Sequence, residues 1–438
     1  MVKTLQGLVR NSLWSLIIQF SPRFVDVLLF ILIGRLYGPY EGGVFSLASA
    51  YLGIAIAAIR GPDDFVTRQV LRTPESTSAY FGAFCVLHLG VALFTYGTLA
   101  WIVVGAMSYA ALTTQVILLL LLALIPENLI GITQAILLGQ QRFHVPALVI
   151  LAVNLGKLGG GAMILLTGGT LSYVAGVWVL SSLAGMLILV GIVWQNVGWA
   201  GPSHWRPIWR QARAILAFLV ITVLLALEAQ VDTIVLSALH GEVHVGWYRA
   251  ATTVLFSLAM LAQVYQIAVY PVMTRYALDA PEKLAALYAI SLRGLTLGVV
   301  PLVISVWWAA PYLIPLVFSS TFQPAIPVLR VLIWALLFIF LNAPHARVML
   351  VCNQQGKIVL FVAASVASNI VINLVLAPRW GALGSAWARV VSSALFCGMS
   401  YLFIRRRLIP LSRNFDDMGG DSCKIDLEKS PRTSWRGH

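Results

Sequence analysis

Glu228 and Asp232 stand four residues apart in a long apolar run, so a helix there stacks two carboxylates on one face. Like charges that close repel unless something positive joins them, whether an arginine, a proton or a metal cation. A second pair with the same spacing, Asn369 and Asn373, offers amide oxygens, which are hard ligands for a small cation such as sodium. Ser392 and Ser393 can add hydroxyls to that set, and the same Asn residues are equally suited to hydrogen bonding between helices.

Other charged residues lie where charge is hardest to keep. Arg23, Asp26, Glu127, Lys157, Arg293, Arg330 and Arg389 all fall inside apolar runs, with His88 as an uncharged polar companion. One such charge at mid-bilayer costs roughly 2.5–3.5 kcal/mol on insertion scales, so these residues are expected to face a partner or a polar cavity. Arg23 and Asp26 are three apart and can pair on one helical face, beside Pro22, whose ring kinks a helix and opens space. Left unpaired, Arg23 would instead be an anion ligand. Glu127 and Lys157, in adjacent runs, can form a buried salt bridge.

Enzymatic chemistry finds little support in the remaining residues. No Gly-rich phosphate loop of the Walker type is present, the seven His are scattered, and most of them lie near the ends of apolar runs, such as His144, His204, His240 and His244. ATP is therefore not the expected fuel, and neither an enzyme nor a bound cofactor is expected. Cys85, Cys352 and Cys397 lie inside apolar runs and Cys423 in a polar tail, a pattern that offers no disulfide framework and no zinc spacing.

The elements that must position these residues follow from composition. Of 438 residues 60% are hydrophobic and only 10% charged, with a mean hydropathy of +0.88. A soluble domain is roughly one quarter charged, so most of this surface is expected to face lipid. Runs near the roughly 20 residues that cross a bilayer fall at about 12–36, 42–60, 78–104, 112–138, 145–167, 171–195, 213–239, 244–272, 285–309, 325–350, 357–377 and 382–405. Long unbroken runs exclude the alternating strands of a barrel. The expected class is an all-α integral membrane protein with about twelve spans, the first being a retained helix and not a cleaved leader.

Basic residues alternate by connection. Arg60, Arg68 and Arg72, then Arg142, then Arg206, Arg210 and Arg213, then Arg275 and Lys283, then Lys357 mark the even connections, whereas the odd ones hold only Arg35 and Arg379. The positive-inside rule then places both termini in the cytoplasm. The net charge of +13 meets anionic headgroups on that face and calls for no nucleic acid.

Weak internal similarity divides the chain near its middle. Leu138-Gly139-Gln140-Gln141 echoes Cys352-Asn353-Gln354-Gln355, Trp178 with Ser181-Ser182 echoes Trp387 with Ser392-Ser393, and Gly43-Val44-Phe45 echoes Gly246-Trp247-Tyr248. The expected domains are two six-helix bundles, 1–197 and 213–405, related by a pseudo-two-fold axis along the membrane normal, with an amphipathic linker at 198–212 and a disordered tail at 406–438.

Several stretches resemble the polysaccharide flippases. Gly34-Arg35-Leu36-Tyr37-Gly38-Pro39 through Gly43-Val44-Phe45-Ser46-Leu47 is similar to that family's first outer turn. Val231-Asp232-Thr233, Val245 through Ala251 and Tyr270-Pro271 resemble its Asp-containing helix and Gly-x-Tyr-x-Ala turn, and Leu313 through Phe318 its run after the ninth span. Asn373-Leu374 with Pro378 through Ala386 resembles its Asn-Leu and Pro-x-x-Gly-x-x-Gly-Ala pattern. The resemblance covers the chain from about Asn11 to Arg405.

Membership of the multidrug, oligosaccharidyl-lipid and polysaccharide exporter superfamily would imply a V-shaped pair of bundles around a cavity. Its cargo would be a polyprenyl-diphosphate-linked oligosaccharide, flipped between leaflets of the cytoplasmic (inner) membrane by alternating access. A diphosphate wants cationic ligands, for which Arg23, Lys157, Arg293 and Arg330 are the candidates. Coupling to sodium or protons is expected at Glu228, Asp232, Asn369 and Asn373, in line with cation-coupled relatives that include the lipid II flippases. Beyond the lipid-linked substrate, the expected partners are membrane lipids and polysaccharide polymerase or export proteins. A drug antiporter of the same superfamily would want a negative cavity, whereas these spans hold more Arg and Lys than Asp and Glu. A non-transporting subunit of an export complex is the other alternative.

Overall fold

The computed structural model describes residues 2–201 and 212–408, and among them every regular element is a helix. Most of the expected linker and the tail from 409 onward lie outside the described residues. The first half of the chain forms α1 (Val2–Leu36), α2 (Pro39–Arg60), α3 (Asp63–Arg72), α4 (Thr77–Trp101), α5 (Ala111–Leu121), α6 (Leu124–Gly139), α7 (His144–Leu166) and α8 (Leu171–Val197). The second half forms α9 (Ala212–His240), α10 (Glu242–Asp279), α11 (Pro281–Val317), α12 (Ala325–Leu332), α13 (Trp334–Val351), α14 (Gln355–Trp380) and α15 (Ala382–Phe403).

Twelve stretches are long and apolar enough to cross a membrane, one for each run expected from the sequence. Three are built from paired helices: α2 with α3, α5 with α6, and α12 with α13. Proline marks two of those breaks. Pro62 directly precedes α3 and Pro126 lies in the first turn of α6, where a missing N–H breaks no internal hydrogen bond. Large apolar side chains such as Phe94, Leu297 and Leu316 remain exposed, as lipid-facing positions should, and exposed Trp101, Trp194, Trp308 and Tyr312 lie near helix ends where interfacial belts form.

The chain packs as two compact units. The first comprises Met1–Ala251, Pro311–Val328 and Asn373–Ser385; the second comprises Thr252–Ala310, Leu329–Ile372 and Ala386–His438. Within the first, α1 packs along α7, α7 along α8, α6 along α8 and α2 along α9. Leu29, Ile33, Val44, Leu47, Ile117 and Leu120 form part of its buried core. The second unit has its own cluster around Met273, Tyr288, Met349 and Ile404.

Two details bear on the internal similarity. Gly38 and Gly241 both take positive φ, at 98° and 76°, and each turns the chain into the next helix. Five residues beyond each stands a glycine in close reciprocal contact. A Cβ on Gly43 would collide with the carbonyl oxygen of Glu242, and one on Gly246 with that of Pro39. The second detail concerns the ends of α6 and α13, which finish alike. Arg142 N–H reaches back to Leu137 and Gln354 N–H to Met349, with Gln141 and Asn353 at φ of 61° and 57°. In this geometry Gln141 is equivalent to Asn353, two residues from the register in which the sequence echo aligns Gln141 with Gln355.

Candidate functional site

Asp232 is fully buried in the first unit, and its two oxygens are held by different donors. Asn373 donates its amide N–H to Oδ1 at 2.6 Å, and the Tyr248 hydroxyl donates to Oδ2 at 2.5 Å. Ser385 donates in turn to the Asn373 amide oxygen at 2.7 Å. The donor order is fixed by the carboxylate, which in its ionised form only accepts. Asn373 therefore turns its hydrogens toward Asp232, and its oxygen is already engaged. Glu228, one turn earlier on α9, is half-buried.

Near the start of α10 a second set of contacts closes. Asp26 of α1 pairs with Arg249 of α10, whose guanidinium also lies 5.7 Å from the centre of the Phe30 ring. This differs from the local Arg23–Asp26 pair that the spacing on α1 allowed: a partner 223 positions away takes Asp26, because packing brings α10 across α1. Phe30 meets Phe318 and Phe322 at ring distances of 5.5 and 6.5 Å. Arg35, one of the few basic residues on the odd connections, donates to the carbonyls of Val317 and Leu316 at the end of α11. A cation there caps orphan carbonyls and complements the helix dipole.

A third set lies among α2, α3, α4, α6, α7 and α8. Lys157, only 5% exposed, donates to Glu127 Oε1 at 2.6 Å and sits 4.5 Å from the centre of the Trp178 ring. Ser182 donates to the same oxygen at 2.7 Å, and Arg60 reaches Glu127 Oε2 at 3.7 Å and its backbone carbonyl. Beside Arg60, the imidazole of His88 approaches Asp63. The buried salt bridge that the adjacent runs allowed for Glu127 and Lys157 is thus formed.

The second unit handles its cations differently. Arg330 is half-buried, donates to the Trp307 carbonyl at 3.3 Å and lies 4.7 Å from the centre of that indole. Arg347 donates to the Gln266 side-chain oxygen at 3.1 Å and stacks 5.1 Å from the centre of the Tyr270 ring. Gln266 and Tyr270 are four apart, so one face of α10 supplies both supports. Arg293 is exposed and Arg389 buried. Among this unit's described residues the only carboxylates are Asp279 and Glu282, at the turn between α10 and α11.

Of the residues singled out by sequence, Asp232 and Asn373 are brought into direct contact. Asn369 instead donates to the Ser392 hydroxyl at 3.4 Å, and Ser365 to the Ser392 carbonyl at 3.0 Å, which is helix-to-helix hydrogen bonding between α14 and α15. Arg23 is exposed on α1 beside Pro22, which is contained within the helix. Sequence reasoning noted Tyr248 and Arg249 only within stretches of likeness, not as site residues, and passed over Arg347. Arg347 had a readable signal, since it sits within an apolar stretch, Ala325–Val351, like the arginines already noted.

Twelve apolar crossings with charge buried inside them, and helices as the only regular elements described, define a multi-pass membrane protein of transporter fold. Two solved structures share it with a TM-score of 0.72. One is the lipid II flippase MurJ in an inward closed conformation, 16% identical, covering 90% of this chain and 87% of that one. The other is an inward-facing multidrug resistance MATE family transporter of the MOP superfamily, 15% identical, covering 92% of this chain and 99% of that one. In sequence, the probable low-salt glycan biosynthesis flippase Agl15 of Haloferax volcanii is 22% identical over 394 residues, or 89% of this chain and 81% of that protein. Residues 8–277, more than half the chain, match the polysaccharide biosynthesis protein family, and the chain belongs to that family.

Proposed function

We propose that this protein flips a polyprenyl-diphosphate-linked oligosaccharide across the cytoplasmic membrane by alternating access of two six-helix bundles. The observation that carries the reading is the charge of the second unit's spans. Arg330, Arg347 and Arg389 lie in stretches that contain no Asp or Glu, Arg293 shares its stretch only with Glu282 at the first turn of α11, and Arg330 and Arg347 rest on carbonyl, amide and aromatic groups. Such cations keep their charge for an anion, and Arg binds phosphate oxygens through paired N–H donors. Lys157 already meets Glu127, so among the expected cationic ligands more weight falls on Arg330, with Arg347 added. The reciprocal contact of Gly43 and Gly246 supports bundles related by a two-fold axis, since each half then presents the same surface to the other.

The test is flipping of a fluorescent polyprenyl-diphosphate sugar by purified protein in proteoliposomes. Transport of the labelled lipid is expected. Export of an amphipathic cation without movement of the lipid would favour the drug antiporter, and movement of neither would favour a non-transporting subunit.

Coupling to sodium or protons is assigned to the Asp232 site, with Glu228 beside it and Asn369 and Asn373 on α14. A cation entering there would have to replace the Asn373 and Tyr248 donors, which would link ion binding to the junction of α9, α10 and α14. Asp232→Asn is expected to abolish the response of flipping to an imposed ion gradient. An unchanged response would remove Asp232 from coupling.

A further inference from the structure

The buried contact between His88 and Asp63 is short of one hydrogen. His88 is 1% exposed and stands on α4 about 16 Å from its start at 1.5 Å per residue. Its Nδ1 lies 3.2 Å from the backbone carbonyl of Asn128, an atom that can only accept. Its Nε2 lies 3.5 Å from Asp63 Oδ1, which also only accepts when ionised. A neutral imidazole has one N–H, so whichever nitrogen carries it, the other points a lone pair at an oxygen.

The nearest further donor, the buried N–H of Arg60 Nε, lies beside Asp63 Oδ2 and does not reach this contact. Neither His88 Nε2 nor Asp63 Oδ1 has a hydrogen-bond partner, and both are buried from solvent. The charged groups around the pair are Arg60 of α2, Asp64 of α3, Glu127 of α6 and Lys157 of α7. Arg60 directs its terminal nitrogen to Glu127, Lys157 does the same, and the α9 residues at the adjoining cavity, Thr222 and Leu225, are uncharged. That cavity, about 320 Å³, is also lined by Asp63, Asp64 and Gln134 and gives the pair a polar neighbourhood on the Arg60 side.

We propose that Asp63 and His88 bind one proton between them, as a neutral acid facing a neutral imidazole or as a carboxylate facing an imidazolium, forming a proton site separate from Asp232. Either arrangement gives both nitrogens of His88 a matched contact. The site lies at the end of the first bundle that carries Arg60, Arg68 and Arg72, the end expected to face the cytoplasm. It stands on this geometry alone, whatever the cargo.

The experiment uses the full-length protein in lipid nanodiscs at neutral pH, with infrared spectroscopy for protonated carboxyl groups and nitrogen NMR on labelled histidine. Asp63→Asn and His88→Gln each place an amide N–H in the contact, so both variants are expected to fold without the proton. The expected result is either a protonated-carboxyl band that Asp63→Asn removes completely, or a doubly protonated imidazole that His88→Gln removes completely. Asp232→Asn is expected to leave that signal unchanged. Wild-type protein showing neither signal, hence an ionised Asp63 beside a neutral His88, would overturn the proposal. No cargo enters this measurement, so its outcome is independent of the flipping assay.

Discussion

Lys157 and Arg60 of the first unit meet the carboxylate of Glu127, and Arg249 meets Asp26, whereas Arg330 and Arg347 of the second unit rest on a backbone carbonyl, a glutamine oxygen and two aromatic rings. Both solutions let a cation exist away from water, but they leave different amounts of charge behind. A cation matched by a carboxylate forms a nearly neutral pair whose role is to hold helices together. One held by neutral acceptors and a ring face keeps its full charge and can take an anion without first breaking an ion pair. The same residue type thus serves structure in one unit and, on the reading proposed above, cargo in the other.

The largest effect expected from breaking this contrast is in the first unit. Glu127→Gln leaves Lys157 buried without a counter-charge, and losing one member of a buried pair costs about 3–5 kcal/mol. Thermal unfolding in nanodiscs should show it, and Glu127→Gln with Lys157→Met should recover much of the loss, as a double-mutant cycle would quantify. Recovery of nothing would mean that the two residues do not act as a pair.

In the second unit the order of effects should reverse. Arg330→Met or Arg347→Met is expected to lower flipping by about 10- to 150-fold, the equivalent of one charge-assisted hydrogen bond of about 1.5–3 kcal/mol. Stability should move by under about 1 kcal/mol, because no carboxylate within the unit's spans is left stranded. A large loss of stability with flipping per folded molecule intact would erase the distinction between the units.

The smallest change sharpens the comparison at Asp232, a carboxylate that accepts from the neutral donors Asn373 and Tyr248. Tyr248→Phe removes one of the two described donors and should destabilise the protein by roughly 1.5 kcal/mol, within the range for hydrogen bonds to charged groups. It should also shift the ion concentration at which flipping is half-stimulated. If neither quantity moves, the Tyr248 contact is incidental.

How much of this was readable beforehand depends on the range of the interaction. The spans were legible because an apolar run of membrane-crossing length is a local property, and each such run became a helix or a helix pair. The Glu127–Lys157 pair was half legible: both residues stood out, and only packing of α6, α7 and α8 could show that they meet. Asp26 shows the opposite case. Its local partner by spacing was Arg23, but the structure gives it Arg249, since a helix face exposes a side chain to any neighbouring helix and not only to its own next turn. Asn369 and Asn373 look alike in sequence and diverge in the structure, one toward Ser392 and the other toward Asp232.

Sequence by itself determined that the chain lives in a bilayer, roughly where its twelve crossings fall, and that the later runs carry arginines without acids, because desolvation penalties act on each segment alone. Tertiary structure decided which charges are spent on one another, which donors hold Asp232, and that His88 faces two acceptors at once. Those outcomes depend on contacts a few ångströms long between helices far apart in the chain, and no spacing along one helix encodes them.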